Sequence, residues 1–258
     1  MIPKKGIPAS LQKTFALICF TVFFLLNASL SSAQTLTFLG GISLPSGLYA
    51  SKDFTKASEI GLALPGYNFS LIFDDNRKGK IISPFIQYTF NSNKMDGEAF
   101  EKFEKAYSSN CKGLQASKPW NQSLIMIGPR LNFYGDNFDM FVKGSLGIGW
   151  LASYEYNIYY DTIMQYTGVN AMTKNIRLKA NVLVFSFGLG TDIHVNQSVS
   201  ACLGYEFFYA RPEYGFEKLA NRFGTVILTG QTKFAPPFQT SVFYAGLRFH
   251  LKRNLKKN

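Results

Sequence analysis

The chain repeats a two-residue alternation of large apolar and small or polar side chains, the period of a β-strand with one apolar face. Between Leu183 and Gly190, for example, leucine and phenylalanine alternate with serine and glycine. Seven such segments, with a first strand at 36–44, predict an all-β chain of eight strands; the seven are 68–73, 83–90, 125–133, 142–150, 183–190, 199–207 and 243–251.

Alternation alone does not separate a soluble sheet from a membrane barrel, so the composition of the polar face decides. That face consists mainly of Gly and Ser, with four isolated charges at Arg130, Lys143, Glu206 and Arg248. Small residues that leave room for a few large ones are typical of a narrow closed interior. The water-exposed face of a soluble sandwich would carry more Lys, Glu and Thr.

The connections between the strands alternate between short and long. Tight turns are predicted at 74–79, 135–137 and 195–198, and long links at 46–56, 91–121, 153–179 and 210–238. Outer-membrane barrels sort their connections in this way, with turns in the periplasm and loops outside the cell. The sequence therefore predicts an eight-stranded antiparallel up-and-down transmembrane β-barrel with long outer loops and short periplasmic turns.

The first 33 residues have the features of a cleaved secretory signal peptide. Three lysines precede an apolar run from Phe15 to Leu26, and small residues lead to Ala33. The run is shorter than the roughly 20 residues that a membrane helix needs. We expect residues 1–33 to be removed after export through the inner membrane, and the cell outer membrane to be the destination.

Residues 34–251 then form the barrel domain, and 252–258 a basic C-terminal tail with four Lys and Arg residues. The chain has 27 basic residues, three of them in the signal, against 16 acidic ones. A basic excess can indicate nucleic-acid binding, but export argues against nucleic acid as a partner. The concentration of positive charge near the C-terminus indicates a solvated tail.

The chain offers little for catalysis, metals or cofactors. Cys111 and Cys202 lie in dissimilar segments, no C-x-x-C pair is present, and His194 and His250 are the only histidines. Neither a disulfide framework nor a metal site is predicted. Nucleophilic chemistry at the outer rim needs a base there, whereas both histidines fall on the predicted periplasmic side. No enzymatic activity and no cofactor are expected.

The inner charges suggest what fills the barrel. A two-residue turn at Asp136-Asn137 would place Arg130 opposite Lys143 on the inner face. Two neighbouring cations in a closed lumen need a counter-charge, and Glu206 is the candidate. With Arg248, these residues predict a polar cluster that plugs and rigidifies the lumen. The alternative is a conducting or ligand-binding lumen, in which eight strands leave space for one small ligand.

Two outer connections have patterns of their own. Residues 98–107 place Phe100, Phe103 and Tyr107 at helical spacing, which predicts a short amphipathic helix on the rim. The loop after the strand that ends near Trp150 is rich in tyrosine. We interpret these rim aromatics as the outer girdle, or alternatively as a lip that binds carbohydrate or protein; they are Trp150, Tyr154, Tyr156, Tyr159 and Tyr160.

Three segments, Gly40–Gly47, Ile127–Phe133 and Phe243–Phe249, resemble the opening, middle and closing strands of small outer-membrane β-barrel proteins of the OmpA-like and OmpX-like superfamily, especially those common in Bacteroidota. The likeness extends over essentially all of 34–251. It implies outer-membrane lipid and the barrel-assembly machinery as partners.

The predicted function is a structural or surface-interaction role, with an extracellular protein or glycan bound at the loops. The alternatives are small-ligand transport, a lipid-active barrel, or a soluble lipocalin-like secreted barrel whose apolar faces line a ligand cavity.

Overall fold

The structure of the chain, a computed structural model, describes residues 34–54, 61–75, 80–107, 111–163, 170–174, 178–214 and 235–251. The predicted signal peptide and basic tail lie outside these residues. The elements, in chain order, are β1 Gln34–Pro45, α1 Gly47–Ala50, β2 Ala63–Asp74, β3 Ile82–Met95, α2 Gly97–Tyr107, β4 Cys111–Lys118, β5 Trp120–Phe133, β6 Phe138–Ala152, β7 Glu155–Ile163, β8 Asn170–Lys174, β9 Lys179–His194, β10 Val199–Ala210 and β11 Phe238–Leu251.

Eight of these strands form a closed antiparallel barrel in the order β1-β11-β10-β9-β6-β5-β3-β2. Each barrel strand pairs with the barrel strands before and after it in the chain, and β1 pairs with β11 to close the sheet. This is the predicted up-and-down barrel, and closure removes the unpaired edges that an open sheet would expose. The register also places Arg130 opposite Lys143, as the turn at Asp136-Asn137 predicted.

Short and long connections alternate around the barrel as predicted. The turns at the periplasmic end span 75–81, 134–137 and 195–198. The long connections start and finish at the opposite end of the barrel, and we name them loops 1 to 4 in chain order; they span 46–62, 96–119, 153–178 and 211–237. No helix in the described part of the chain is long and apolar enough to cross a membrane.

Side chains on the two faces of the barrel wall differ in exposure, as the alternation predicted. Phe185 and Phe187 are each 52% exposed on the outer face, whereas Gln87 and Arg248 have no exposed surface inside. A belt of exposed phenylalanine, leucine and isoleucine around a closed sheet is stable in hydrocarbon and unfavourable in water. The chain is therefore a transmembrane β-barrel of the outer-membrane type.

Outside the membrane-spanning wall, loops 2 and 3 fold into structure of their own. Helix α2 confirms the predicted amphipathic helix and extends it by one residue to Gly97. Strands β4, β7 and β8 form a separate antiparallel sheet in the order β4-β7-β8. Most of the first part of the tyrosine-rich loop is β7, a strand that the sequence did not reveal, and its backbone groups pair with those of β4 and β8.

Candidate functional site

The end of the barrel nearest the periplasm is crossed by a layer of four buried charges, which we call the periplasmic charged layer: Asp74, Arg130, Asp192 and Arg248. Asp192 accepts hydrogen bonds from both arginines, and Asp74 accepts one from Arg248. Arg130 Nη1 also lies 3.6 Å from Asp74 Oδ2. The four residues come from β2, β5, β9 and β11, so their ion pairs span the lumen.

Neutral groups complete the coordination of this layer. Thr35 accepts from Arg248 Nε at 3.2 Å and donates to Asp74. Cys202 Sγ donates to Asp192 Oδ1 at 2.8 Å. Arg130 Nε donates to Asn132 Oδ1 at 2.7 Å, and its guanidinium lies 3.8 Å from the centroid of the Phe141 ring. Such contacts offset the cost of removing charges from water.

A central charged layer lies about midway along the barrel and consists of Gln87, Lys143, Ser186 and Glu206. Lys143 Nζ lies 2.7 Å from Glu206 Oε2 and 2.9 Å from Gln87 Oε1. The amide of Gln87 donates to Glu206 at 3.0 Å, and Ser186 Oγ donates to the other carboxylate oxygen at 2.7 Å. Lys143 and Glu206 therefore satisfy each other within a closed set of hydrogen bonds.

All four residues of the predicted lumen cluster lie inside the barrel, but their pairing differs from the prediction. Glu206 is the partner of Lys143, whereas Arg130 pairs with Asp192 and Asp74. The two aspartates were missed because they stand next to turns. Every second residue of a barrel strand faces inward, and continuing that count to the ends of β2 and β9 would have found both aspartates. The two layers hold three cations and three anions, with Arg130, Lys143 and Arg248 facing Asp74, Asp192 and Glu206.

The glycines of the inner face lie against large side chains. A Cβ atom at Gly204 would lie 2.5 Å from the Tyr244 hydroxyl oxygen, and one at Gly188 would lie 3.0 Å from Lys143 Cε. In contrast, a Cβ at Gly40 on the outer face would meet nothing within 4 Å. The inner glycines thus provide the space that the bulky residues of neighbouring strands occupy.

Above the charged layers the wall carries neutral polar groups on one side. Asn68 Nδ2 donates to Asn91 Oδ1 at 2.8 Å, and Asn93 Nδ2 donates to Ser43 Oγ at 3.1 Å. Ser43 and Thr240 share a hydrogen bond of 2.9 Å. These side chains are almost completely buried and tie β1, β2, β3 and β11 together below the outer mouth.

Five buried aromatic residues cover the outer mouth, and we call them the aromatic lid: Tyr49, Trp120, Tyr154, Tyr214 and Phe238. The ring centroid of Trp120 lies 5.3 Å from that of Tyr49, 5.1 Å from that of Tyr154 and 5.9 Å from that of Tyr214. Tyr49 also packs edge-on against Phe238 at 5.4 Å. Edge-to-face packing of this kind is favourable beyond the area that it buries.

Polar contacts fix the lid to the barrel. Trp120 Nε1 donates to the carbonyl of Gly61 at 2.8 Å, and Gln122 Nε2 donates to the Tyr49 hydroxyl at 2.6 Å. Burial raises the pKa of the Tyr49, Tyr154 and Tyr214 hydroxyls above the ordinary tyrosine value. Burial therefore favours the neutral form of these three hydroxyls.

A second aromatic group lies farther from the membrane, where loop 1 meets helix α2. Phe54 stacks on Phe103 with centroids 4.0 Å apart, and Phe100 packs against Tyr156 at 4.9 Å. These rings are only partly buried. Two ion pairs between exposed lysines and buried carboxylates join loop 1 to loop 2 and β4 to β7; the pairs are Lys52 with Asp96 at 2.5 Å and Lys118 with Glu155 at 2.8 Å.

The predicted rim aromatics occupy three different environments. Trp150 is 43% exposed on the outer face of β6, the position of a girdle residue. Tyr154 is only 6% exposed because it belongs to the lid, and Tyr156 packs against α2. Tyr159 and Tyr160 belong to β7, but their side chains lie outside the described part of the structure.

The two histidines meet through a shared serine at the periplasmic mouth. Ser200 Oγ lies 3.0 Å from His250 Nε2 and 3.3 Å from His194 Nδ1, and His194 Nε2 lies 3.3 Å from Asp139 Oδ1. The Ser, His and Asp order resembles a nucleophilic triad, yet Ser200 has no exposed surface for a substrate to reach. This group could not be predicted from the sequence, because Asp139 and His250 lie on strands distant in the chain from the turn between His194 and Ser200.

No protein-family model matches the chain, and no curated protein matches it by sequence. Solved structures with a similar arrangement include Neisserial surface protein A, at 12% identity and a TM-score of 0.43, covering 85% of this chain and 97% of that one. The Ail attachment invasion locus protein of Yersinia pestis has 10% identity and a TM-score of 0.36, covering 84% and 97%. A major outer membrane protein of Thermus thermophilus has 10% identity and a TM-score of 0.40, covering 85% and 99%. At these values the fold assignment rests on the strand pairing of this chain itself.

Proposed function

We propose that this protein is a closed outer-membrane barrel whose interior is plugged by its own side chains and whose outer loops present a surface for interaction with molecules outside the cell. The observation that carries the proposal is the pairing of every charge in the two charged layers within the barrel. A plugged interior leaves the outer surface as the part that meets partners.

Burial supports the closed interior. Gln87, Thr89, Asn91, Gln122 and Arg248 have no exposed surface at all. A void large enough for one water molecule would expose part of the side chains that line it. These residues are distributed from the periplasmic charged layer up to the lid, so an open water path would have to displace several paired side chains.

The outer surface supports the interaction role. The described parts of loops 2 and 3 form α2 and the β4-β7-β8 sheet, and the partly buried rings of Phe54, Phe100 and Phe103 lie on the elements that the two ion pairs join or next to them. Aromatic rings with flanking charges suit an extracellular protein or a glycan. A structured surface also binds with a smaller entropic cost than a flexible one.

The route to the membrane belongs to the same proposal. Residues 1–33 act as a signal peptide that is cleaved after export, the barrel-assembly machinery inserts residues 34–251, and the exposed apolar belt meets outer-membrane lipid. The resemblance of three strand segments to the OmpA-like and OmpX-like superfamily agrees with this route.

Conductance in planar bilayers tests the plugged interior. The purified barrel is expected to give no stable open-channel steps in molar salt. A double variant, Arg130→Ala with Arg248→Ala, removes the cations of the periplasmic charged layer and serves as a comparison that loosens the interior. Regular open-channel steps from the unmodified barrel would contradict the proposal and favour transport.

A further inference from the structure

Within the aromatic lid, the ring of Trp120 contacts residues of loops 1, 3 and 4. It stands at the junction of loop 2 and β5. Its ring packs against Tyr49 of loop 1, Tyr154 of loop 3 and Tyr214 of loop 4, and it is 1% exposed. The indole therefore joins all four outer loops at one buried point.

Loop 1 is attached to this point by directional bonds as well as by packing. Trp120 Nε1 donates to Gly61 O. The Gly61 amide donates in turn to Leu48 O at 2.9 Å, and this bond joins the end of loop 1 to its start. Displacing the Tyr49 ring would leave a void beside Trp120 and an unsatisfied Gln122 amide. Loop 1 therefore does not open without disturbing the indole.

Loops 2 and 3 are attached in a similar way. The Asp96 amide of loop 2 donates to Leu62 O of loop 1 at 2.8 Å. In loop 3 the Ser153 amide donates to Leu178 O at 2.8 Å, directly beside Tyr154. A close-packed buried ring has few alternative positions, so its displacement from one side removes contacts on the other sides.

We propose that Trp120 couples the four outer loops into one cooperative unit, so that a molecule bound at one loop stabilises the other three. Coupling of this kind is a free energy shared between sites, and it is reciprocal. A partner that touches only α2 or the β4-β7-β8 sheet would thereby strengthen the lid over the barrel mouth.

Hydrogen exchange of single backbone amides in detergent micelles tests the coupling. The Gly61 amide reports on loop 1, the Ser153 amide on loop 3, and the Asn132 amide, which donates to Ile81 O at 2.7 Å, reports on the periplasmic end. Tyr49→Ala is expected to accelerate exchange at both Gly61 and Ser153 by about tenfold or more, with Asn132 unchanged. Tyr154→Ala is expected, in return, to accelerate hydrogen exchange at the Gly61 amide.

The decisive comparison uses the indole itself. In a Trp120→Ala background, Tyr49→Ala is expected to change exchange at Ser153 by less than about twofold, because the link is already lost. Tyr67→Ala, at a tyrosine that is 59% exposed on the outer face, is the matched control and should alter neither reporter. Tyr49→Leu replaces Tyr49→Ala if that variant does not fold.

If Tyr49→Ala accelerates exchange at the Gly61 amide but not at the Ser153 amide, the loops open independently and the proposal is overturned. Equal acceleration at Asn132 would also overturn it, because the opening would then be global rather than confined to the lid. Persistence of the full Tyr49→Ala effect at Ser153 without the indole would show that another path carries the coupling.

Discussion

Lys143 on β6 and Glu206 on β10 pair across the strand between them, with Nζ 2.7 Å from Oε2, in the centre of a membrane barrel. Their side chains are 2% and 1% exposed. A charge at this depth without its partner is expensive, so the two residues are best understood as a single neutral unit.

Removing one partner of this pair is therefore expected to destabilise the barrel more than removing both. Lys143→Met leaves Glu206 buried without its cation, at a cost of about 3–5 kcal/mol in the free energy of unfolding. Lys143→Met combined with Glu206→Gln should recover most of that loss. Urea unfolding in lipid vesicles, followed by tryptophan fluorescence, measures the free energy of unfolding of the single and the double variant. A double variant as unstable as the single variant would contradict the account.

The close contact between Gly204 and Tyr244 predicts an asymmetry between inner and outer glycines. Gly204→Ala places a Cβ atom 2.5 Å from the tyrosine hydroxyl oxygen and 2.7 Å from the carbonyl of Leu189, so it should cost about 1–3 kcal/mol in stability. Gly40→Ala, which meets nothing within 4 Å, is the matched control. Equal unfolding midpoints for the two variants would show that the interior is not filled.

Asp96 predicts an acid-sensitive start to helix α2. Its Oδ1 accepts from the Ala99 amide at 3.0 Å, and Lys52 lies 2.5 Å from Oδ2. Burial opposes ionisation, but the bonds from Lys52 and Ala99 outweigh it and lower the pKa of Asp96 below its ordinary value. A lowered folded-state pKa means that the stabilisation is complete at neutral pH and is lost as the pH falls through that pKa.

Asp96→Ala should accordingly reduce the local stability of α2 by about 1 kcal/mol at neutral pH and remove its acid sensitivity. Protection factors of the α2 amides at pH 7 and at pH 3 provide the measurement. Asp136→Asn, at an exposed aspartate of a periplasmic turn, is the control. Unchanged α2 protection in Asp96→Ala would mean that packing alone holds the helix.

The sequence predicted the barrel well because its two faces meet different surroundings at every second residue. Segments such as 183–190 show the two-residue alternation within a few residues. The alternation of short turns and long loops then indicates that consecutive strands are neighbours in the barrel. Outer-face parity was correct even at residues such as Leu131 and Phe133 near the strand ends, since one slip in register would expose the polar face to lipid.

The sites were predicted less completely, because they depend on contacts between distant segments. The two-residue alternation predicted that Arg130 and Lys143 face the lumen, but it could not predict which carboxylate each would pair with. The lid was missed because Tyr49, Trp120 and Tyr214 come from separate connections without a shared pattern. The β4-β7-β8 sheet was missed because its strands are short and interrupted by register shifts.

The two tryptophans of the chain occupy opposite environments and allow a direct test of the central claim, that the apolar face meets lipid while the aromatic lid is buried in protein. Trp150 is 43% exposed on the outer face, whereas Trp120 is 1% exposed within the lid. Single-tryptophan barrels, made with Trp120→Phe or Trp150→Phe, can be reconstituted in vesicles of brominated phospholipid, which quenches indole fluorescence on contact.

Strong quenching of Trp150 and little quenching of Trp120 is the result that the structure predicts. Equal quenching of the two, or quenching of Trp120 alone, would contradict the inside and outside assignment of the barrel wall.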